Sequence, residues 1–391
     1  MDFAAVFGRN AALSAAELHA LCEPPGLGVQ RLNQYAALVT GDILPLAERF
    51  GAITKIVQLA DDTARSAEEA VARLAQTPDG NGKVTYGISS YGSVPATPLT
   101  ILMEQELAKR GLRTRYMAKR EGRSGRAKDG ELSAVQVKHN RLLTRGYDWC
   151  VFETDDGWRY GRTAWVYDFE GFSRRDYDKP RSDPKRGMLP PQLARAMVNL
   201  ATRGEEVPVY DPFCGIGSLL LESAALGHRT LGSDIDETAV KQARENLEWL
   251  GQRTPNLPEW QVTVHDATTA LPQEAAVIAT EGSLGIPVSQ SFSATDLDRQ
   301  SEEVSRLVAD FFAAAKAALR AGDRLVITLP VWRIPRRQRL EVIDELTGLG
   351  YTVIRPFPPS LGYPGVSDRD SIEVARDQQK VVHELFIFER N

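Results

Sequence analysis

The sequence predicts an α/β protein whose C-terminal half is a doubly wound, mostly parallel sheet. From about residue 191, short apolar runs alternate with helix-length amphipathic segments, the pattern of strands joined by covering helices. The first run enters Val209-Tyr210-Asp211-Pro212-Phe213-Cys214-Gly215-Ile216-Gly217-Ser218, an apolar strand followed at once by a glycine turn and a helix start. Length supplies the third observation. A chain of 391 residues, 42% hydrophobic and 25% charged, can bury two or three separate cores and is neither fibrous nor mainly disordered.

Taken in order, Leu13 to Leu21 reads as a helix, with Ser14 as candidate N-cap and Glu17 at the capping-box spacing. Tyr35 to Val39 and Ile53 to Leu59 read as strands, and Ala67 to Ala75 as a helix. The turn cluster Pro78-Asp79-Gly80-Asn81-Gly82 then marks a boundary, giving a small N-terminal α/β domain over 1–82. In a second unit, 83–170, Lys83 to Ile88 is a strand and Pro98 to Arg110 a helix. The glycine-rich, charged stretch 122–130 reads as a loop, Ser133 to Leu143 as a helix, and 149–153 and 160–167 as strands. Residues 171–190 lack apolar periodicity and form a basic linker. In the C-terminal domain, 191–391, the strands are 208–210, 230–233, 261–264, 276–279, 324–328, 351–355 and 381–388. Helices lie at 218–226, 237–250 and 301–321. The last two strands have no helix between them, which permits an antiparallel edge.

Charge is uneven. Residues 1–100 carry −3, residues 101–200 carry +7 and residues 201–391 carry −9, so the basic middle is the part suited to a polyanion. The cationic candidates are Arg113, Arg115, Lys119, Arg120, Arg123, Arg126, Lys138, Arg141 and Arg145, with Arg174, Arg175, Lys179, Arg181, Lys185 and Arg186 in the linker. Tyr116, Trp149, Trp158 and Trp165 interleave with them, as core residues or as stacking platforms. Three distant cysteines (Cys22, Cys150, Cys214) make neither a disulfide framework nor a metal knuckle, and five histidines show no ligand spacing. No metal is expected. No apolar run is long enough for a membrane span and no secretory leader is visible, so a cytoplasmic location is expected.

Three acids define the candidate site. Asp211 ends the first C-terminal strand and Asp234 ends the next, close to the roughly 20-residue spacing at which a carboxylate reaches ribose hydroxyls. Asp266 follows the third strand. Any one of them could be a helix cap or turn residue, but together they lie on the edge where open α/β sheets bind ligands. The third glycine of a dinucleotide fingerprint is replaced by Leu220, which favours a nucleotide-like ligand without a pyrophosphate.

These motifs resemble a known family. Asp211 to Ser218 with Leu221-Glu222-Ser223-Ala224 looks like motif I of S-adenosylmethionine-dependent RNA guanine-N2 methyltransferases; Asp234-Ile235-Asp236 and Asp266 resemble motifs II and III. The stretches Arg175-Asp176-Tyr177-Asp178-Lys179-Pro180 and 187–194, with Phe7-Gly8-Arg9 and Leu13 to Leu18, are similar to the members that methylate guanosine at position ten of tRNA. The resemblance implies a Rossmann-like class I methyltransferase domain, a THUMP-like RNA-binding domain over 83–170, S-adenosylmethionine as cofactor, tRNA as partner and, for some members, a small activating subunit. It also implies that Phe213, Gly215 and Gly217 pack round the methionine part of the cofactor. Asp234 would hold the ribose, Asp266 the adenine amino group, and Asp211 would act near the cofactor's amino end.

One departure stands out. The family's motif IV, Asp or Asn followed by Pro-Pro-Tyr, is replaced here by Ala279-Thr280-Glu281-Gly282-Ser283-Leu284-Gly285. Thr280, Glu281 and Ser283 are the candidate catalytic residues, with Thr280 or Glu281 in the acid's place and no aromatic ring. Two other functions stay open on this reading: an RNA-binding protein that keeps the cofactor fold without turnover, and an amino-methyltransferase acting on another base or on DNA.

Overall fold

A computed structural model describes residues 1–78, 82–117, 132–182, 189–272, 277–285, 292–375 and 379–391. The chain forms two compact units. One comprises Met1–Ser14, Pro25–Glu48 and Ile53–Phe169; the other comprises Ala15–Pro24, Arg49–Ala52 and Glu170–Asn391.

The N-terminal elements are β1 (Asp2–Phe7), α1 (Ala11–Cys22), β2 (Gly28–Arg31), β3 (Ala36–Thr40), β4 (Ile53–Leu59) and α2 (Ala67–Leu74). They are followed by β5 (Lys83–Tyr91), α3 (Ala96–Lys109), β6 (Arg113–Tyr116), α4 (Ala134–His139), β7 (Tyr147–Thr154) and β8 (Gly157–Val166). The eight strands make one sheet in the order β2-β3-β1-β4-β8-β7-β5-β6, parallel only where β5 meets β6 and β7. Residue 82, expected as a domain boundary, lies within the span of this sheet, whose two halves are joined by the β4–β8 ladder. Val71 and Leu74 of α2 and Leu99, Met103 and Leu107 of α3 cover Tyr86, Ile88, Trp149 and Val151. Trp149 and Trp158 are therefore core residues rather than stacking platforms.

An ion pair sits inside this sheet. Lys55 Nζ lies 2.9 Å from Asp148 Oδ2 and donates to Ser89 Oγ at 3.2 Å, while Thr163 Oγ1 donates to the same Asp148 oxygen at 2.6 Å. Both ions are fully buried.

Helix α1 starts earlier than the capping pattern suggests. Asn10, not Ser14, caps it, its side chain accepting from the amide of Leu13 at 3.0 Å. Glu17 is spent elsewhere: its buried carboxylate accepts from the amides of Gly51 (2.8 Å) and Ala52 (2.7 Å) and from Asn199 Nδ2 (2.7 Å). Residues 15–24 and 49–52 thereby belong to the C-terminal unit.

That unit begins with a helical turn, α5 (Phe169–Ser173), and a π-helical turn over Arg174–Asp178, followed by α6 (Pro191–Thr202), β9 (Val209–Asp211), α7 (Ser218–Ala225), β10 (Thr230–Asp234), α8 (Glu237–Gly251) and β11 (Trp260–Val264). Then come β12 (Val277–Glu281), α9 (Ala294–Ala318), β13 (Arg324–Trp332), α10 (Ile343–Gly348), β14 (Tyr351–Val353), β15 (Ile372–Val374) and β16 (Val381–Arg390). The sheet order is β11-β10-β9-β12-β13-β16-β14, with β15 also on β16. The first five strands are parallel and β16 runs antiparallel to β13, β14 and β15. The expected doubly wound sheet with an antiparallel edge is what forms.

On one face Phe311 and Phe312 of α9 pack with Ile278, Leu325, Ile327, Phe386 and Phe388. Elsewhere Leu220 and Leu221 of α7 meet Val240, Ala243 and Leu247 of α8. Residues 171–182, expected as linker, are fastened to this unit. Glu222, fully buried on α7, pairs with Arg195 at 2.9 Å and with Arg175. Asn246 accepts from the amide of Arg181 at 2.9 Å.

Because removing one partner of a buried ion pair leaves an uncompensated charge, Asp148→Ala is expected to destabilise its unit by about 3–5 kcal/mol, measured by urea unfolding.

Candidate active site

Strand order reverses between β9 and β12, so the carboxyl ends of these strands flank the crevice where such sheets bind ligands. The chain leaves β9 at Asp211 and turns through Gly215 (φ +50°) and Gly217 (φ +87°) into α7. The left-handed backbone explains glycine at both positions. At Gly217 a side chain would also crowd Ala243, its Cβ 3.2 Å from that residue's; at Gly215 the space beyond the Cα is open, so a ligand can lie against the turn.

Asp211 is buried. Its Oδ1 accepts from Thr280 Oγ1 at 2.6 Å and from the amide of Phe213 at 3.2 Å. Burial pushes its carboxyl up to about 7, helped by the Asp234 charge and opposed by those two hydrogen bonds. Asp234, half-buried at the end of β10, accepts from the amides of Gly215 (2.9 Å) and Asp236 (3.0 Å). A carboxylate has about four lone-pair positions, so capacity for a diol remains. Asp266 is exposed; the amide and hydroxyl of Thr268 donate to its Oδ1 at 2.9 and 2.7 Å and hold its carboxyl below the usual range.

Glu281 is the last residue of β12 rather than part of the following turn. Burial, and then the Asp211 charge, push its carboxyl up to about 8. Its Oε1 lies 3.4 Å from Nδ1 of His383 on β16, a residue that no sequence spacing ties to it. The ambiguity between Thr280 and Glu281 resolves into two tasks: Thr280 is buried and binds Asp211, while Glu281 keeps a partly exposed carboxylate. Ser283 is half-buried and accepts from the Gly285 amide at 3.3 Å. Phe213 packs edge-on against Phe311, ring centroids 5.1 Å apart. Cys214 is buried among Leu220, Leu221 and Val240, a packing role.

The cationic candidates divide. Arg113, Arg115, Lys138, Arg141 and Arg145 are exposed on the N-terminal unit, and Arg174 is exposed on the C-terminal one. Lys119, Arg120, Arg123, Arg126, Lys185 and Arg186 lie outside the described residues. Arg175 and Arg181 are bound to Glu222 and Glu245, and Lys179 is buried with its Nζ 3.5 Å from Ser218 Oγ, so these three serve the C-terminal unit's own packing. Lys83 and Arg162 were not evident from the basic run. With Arg145, Thr85 and Tyr147 they line a cavity of about 310 Å³, and the Arg162 guanidinium lies 4.5 Å from the centre of the Tyr147 ring.

Residues 179–327 match the UPF0020 family, described as RMKL-like, methyltransferase domain. This segment is similar to a methyltransferase domain. The cofactor of such a domain is S-adenosylmethionine, and the open glycine turn, the free capacity of Asp234 and the exposed Asp266 carboxylate fit it. The chain is 32% identical over 145 residues to the tRNA (guanine(10)-N2)-dimethyltransferase of Methanothermobacter thermautotrophicus, covering 37% of this chain and 39% of that protein. It is 35% identical over 113 residues to the enzyme of the same name from Pyrococcus abyssi, covering 28% and 32%. The chain thus spans well under half the length of these curated relatives. TrmN from Thermus thermophilus shares the fold over the whole of both chains, with a TM-score of 0.53 and 17% identity. The Rossmann-like class I fold is thereby supported by structure, and the resemblance to tRNA guanine-N2 methyltransferases by sequence over part of the chain. Among the described residues, no helix is long and apolar enough to cross a membrane and no cluster of His, Cys, Asp and Glu could hold a metal.

Asp211 and Glu281 have folded-state values raised above their ordinary 3.8 and 4.5. The folded C-terminal unit therefore binds more protons than the unfolded chain across that window. Their contribution to stability is present at low pH and is lost as pH rises towards about 8. Urea unfolding at about pH 5 and pH 8 should show a smaller loss in Asp211→Asn and Glu281→Gln than in the wild type.

Proposed function

We propose that the chain transfers the methyl group of S-adenosylmethionine to the N2 amine of a guanosine in tRNA. The observation that carries this reading is the gathering of Asp211, Asp234, Asp266 and Glu281 along one sheet edge, inside a domain whose curated relatives are named tRNA (guanine(10)-N2)-dimethyltransferases. Asp234 would hold the ribose hydroxyls, Asp266 the adenine amino group, and the turn from Phe213 to Gly217 the methionine part. Asp211, tied to Thr280, sits where the amino end would lie. The bound cofactor supplies a methyl group already activated on sulfur, so the protein's task is positioning and proton management.

Glu281 accepts hydrogen bonds from the guanine amine, orients its lone pair and receives its proton as the new N–C bond forms. Phosphate contacts fall to Arg113, Arg115, Lys138, Arg141 and Arg145 within residues 83–170, which we read as the THUMP-like, RNA-binding part. Such contacts give affinity and salt dependence rather than sequence choice. The basic cavity with Lys83 and Arg162 extends that set.

Calorimetric titration of S-adenosylmethionine, followed by labelled-methyl transfer to unmodified tRNA in the same preparation, tests the reading. Transfer recovered as N2-methylguanosine supports it. Cofactor binding without transfer to tRNA overturns it in favour of an RNA-binding protein, and transfer to DNA instead overturns the substrate. Asp234→Ala should weaken cofactor binding by about 1–3 kcal/mol, the scale of lost hydrogen bonds to a charged group. Glu281→Gln should leave calorimetric affinity unchanged and slow transfer about 100-fold, as expected for loss of the proton acceptor.

A further inference from the structure

A histidine from a distant strand stands beside Glu281. We propose that His383 is the positioning residue for Glu281: its Nδ1 holds one carboxylate oxygen, leaving the other turned to the amine that receives the methyl group. This rests on the function proposed above and adds to it a residue outside the segment that matches the methyltransferase family.

The sheet register brings the pair together. Glu281 on β12 is opposite Thr328 on β13, and Pro330, two residues on, is opposite His383 on β16. Cross-strand partners and residues two apart share a face, so Glu281, Thr328, Pro330 and His383 lie on one side of the sheet. His383 is 8% exposed, and its Nδ1 lies 3.4 Å from Glu281 Oε1, within ion-pair range though not closed into a hydrogen bond. Thr328 is fully buried, and its Oγ1 has no hydrogen-bond partner among the described residues, so an unspent hydroxyl stands opposite Glu281 in the same wall. An unpaired buried hydroxyl is costly and is found where a site is built for a further partner.

The surroundings make a positioning group necessary. Burial and the Asp211 charge both favour the protonated form of Glu281, yet a proton acceptor must be ionised when the amine arrives. A cationic or donor group beside it opposes that bias. Glu281 faces His383 from β12, with Asp211 behind; Pro330 and Thr328 on β13 and Val374 on β15 carry no charge. Glu384 and Glu373 are paired in register on the opposite face, Glu384 bound to Arg369 and Ser371. Helix α6, packed against β12 and β13, has one charged residue, Arg195, bound to Glu222. Of these groups, Glu281 is the anion whose carboxylate lies against the imidazole.

In the reaction the amine lone pair forms the new N–C bond, the S–C bond breaks with its electron pair going to sulfur, and the amine proton passes to Glu281. His383 acts only through Glu281. Two measurements test it. In the first, ¹³C-labelled histidine is titrated by NMR in the wild type and in Glu281→Gln. Loss of the neighbouring carboxylate should lower the His383 titration midpoint by about one unit, and identical midpoints would overturn the pairing whether or not the chain methylates tRNA. The second is the pH profile of kcat. His383→Leu should lower kcat about tenfold or more and move the acid limb up by about one unit, with KM unchanged. His383→Asn, which keeps a donor where Nδ1 lies, should recover part of the rate. Equal losses in both variants with an unmoved acid limb would mean a packing role only. A wild type that binds cofactor but transfers no methyl group would instead defeat the proposed function, while the NMR titration still decides the pair.

Discussion

The hydrogen bond from Thr280 to Asp211 ties the carboxyl ends of β12 and β9, the two strands between which the sheet changes winding direction. Parallel strands there diverge, because the covering helices leave on opposite faces. A short, buried contact across the divergence fixes how wide the crevice opens. It also takes up one oxygen of Asp211, which is why the first acid of the site is a structural anchor before it is anything else. The neighbouring acids then differ by depth: Asp234 is half-buried and bound to the glycine turn, Asp266 is exposed, and Glu281 is partly exposed beside an imidazole. Along one sheet edge, Asp211 and Glu281 are raised and Asp266 is lowered in proton affinity, set by burial and neighbours rather than by residue type.

Much of this was legible in the sequence because it is local. The strand–turn–helix from Val209 to Ala225, with its two left-handed glycines, is dictated within a few residues, and the acids at the ends of β9, β10 and β11 follow from alternation of strands and helices. What sequence reading missed depends on contacts between distant segments. His383 reaches Glu281 because β16 inserts antiparallel beside β13, a pairing that no spacing announces. Ser14 and Glu17 have a capping-box spacing, yet Glu17 is claimed by Gly51, Ala52 and Asn199, so tertiary hydrogen bonds override a local motif. Arg175, Lys179 and Arg181 looked like free cations in a linker; Glu222, Ser218 and Asn246, all downstream, make them part of a packed surface.

Both units place ionic groups where water cannot reach: Lys55 with Asp148 in one, Glu222 between two arginines in the other. Such pairs add little net stability over apolar residues of similar size, but they penalise any arrangement that separates them. In the C-terminal unit that penalty fixes the segment 171–182 against α7, directly beside the turn that carries Gly215 and Gly217. The approach to the site is therefore held by the same carboxylate that anchors its first helix.

The C-terminal unit is discontinuous along the chain, and this has a consequence during synthesis. Residues 15–24 leave the ribosome before the rest of their unit, carrying Glu17, whose buried carboxylate needs Asn199 and the amides at 51 and 52. Until α6 has emerged, that segment has no complete place to go. The unit that holds the glycine turn thus stays open at this point until about half of the chain has been made. Pauses in elongation before α6 would prolong the interval in which a partly apolar N-terminal helix waits in solvent, the state most open to chaperone capture.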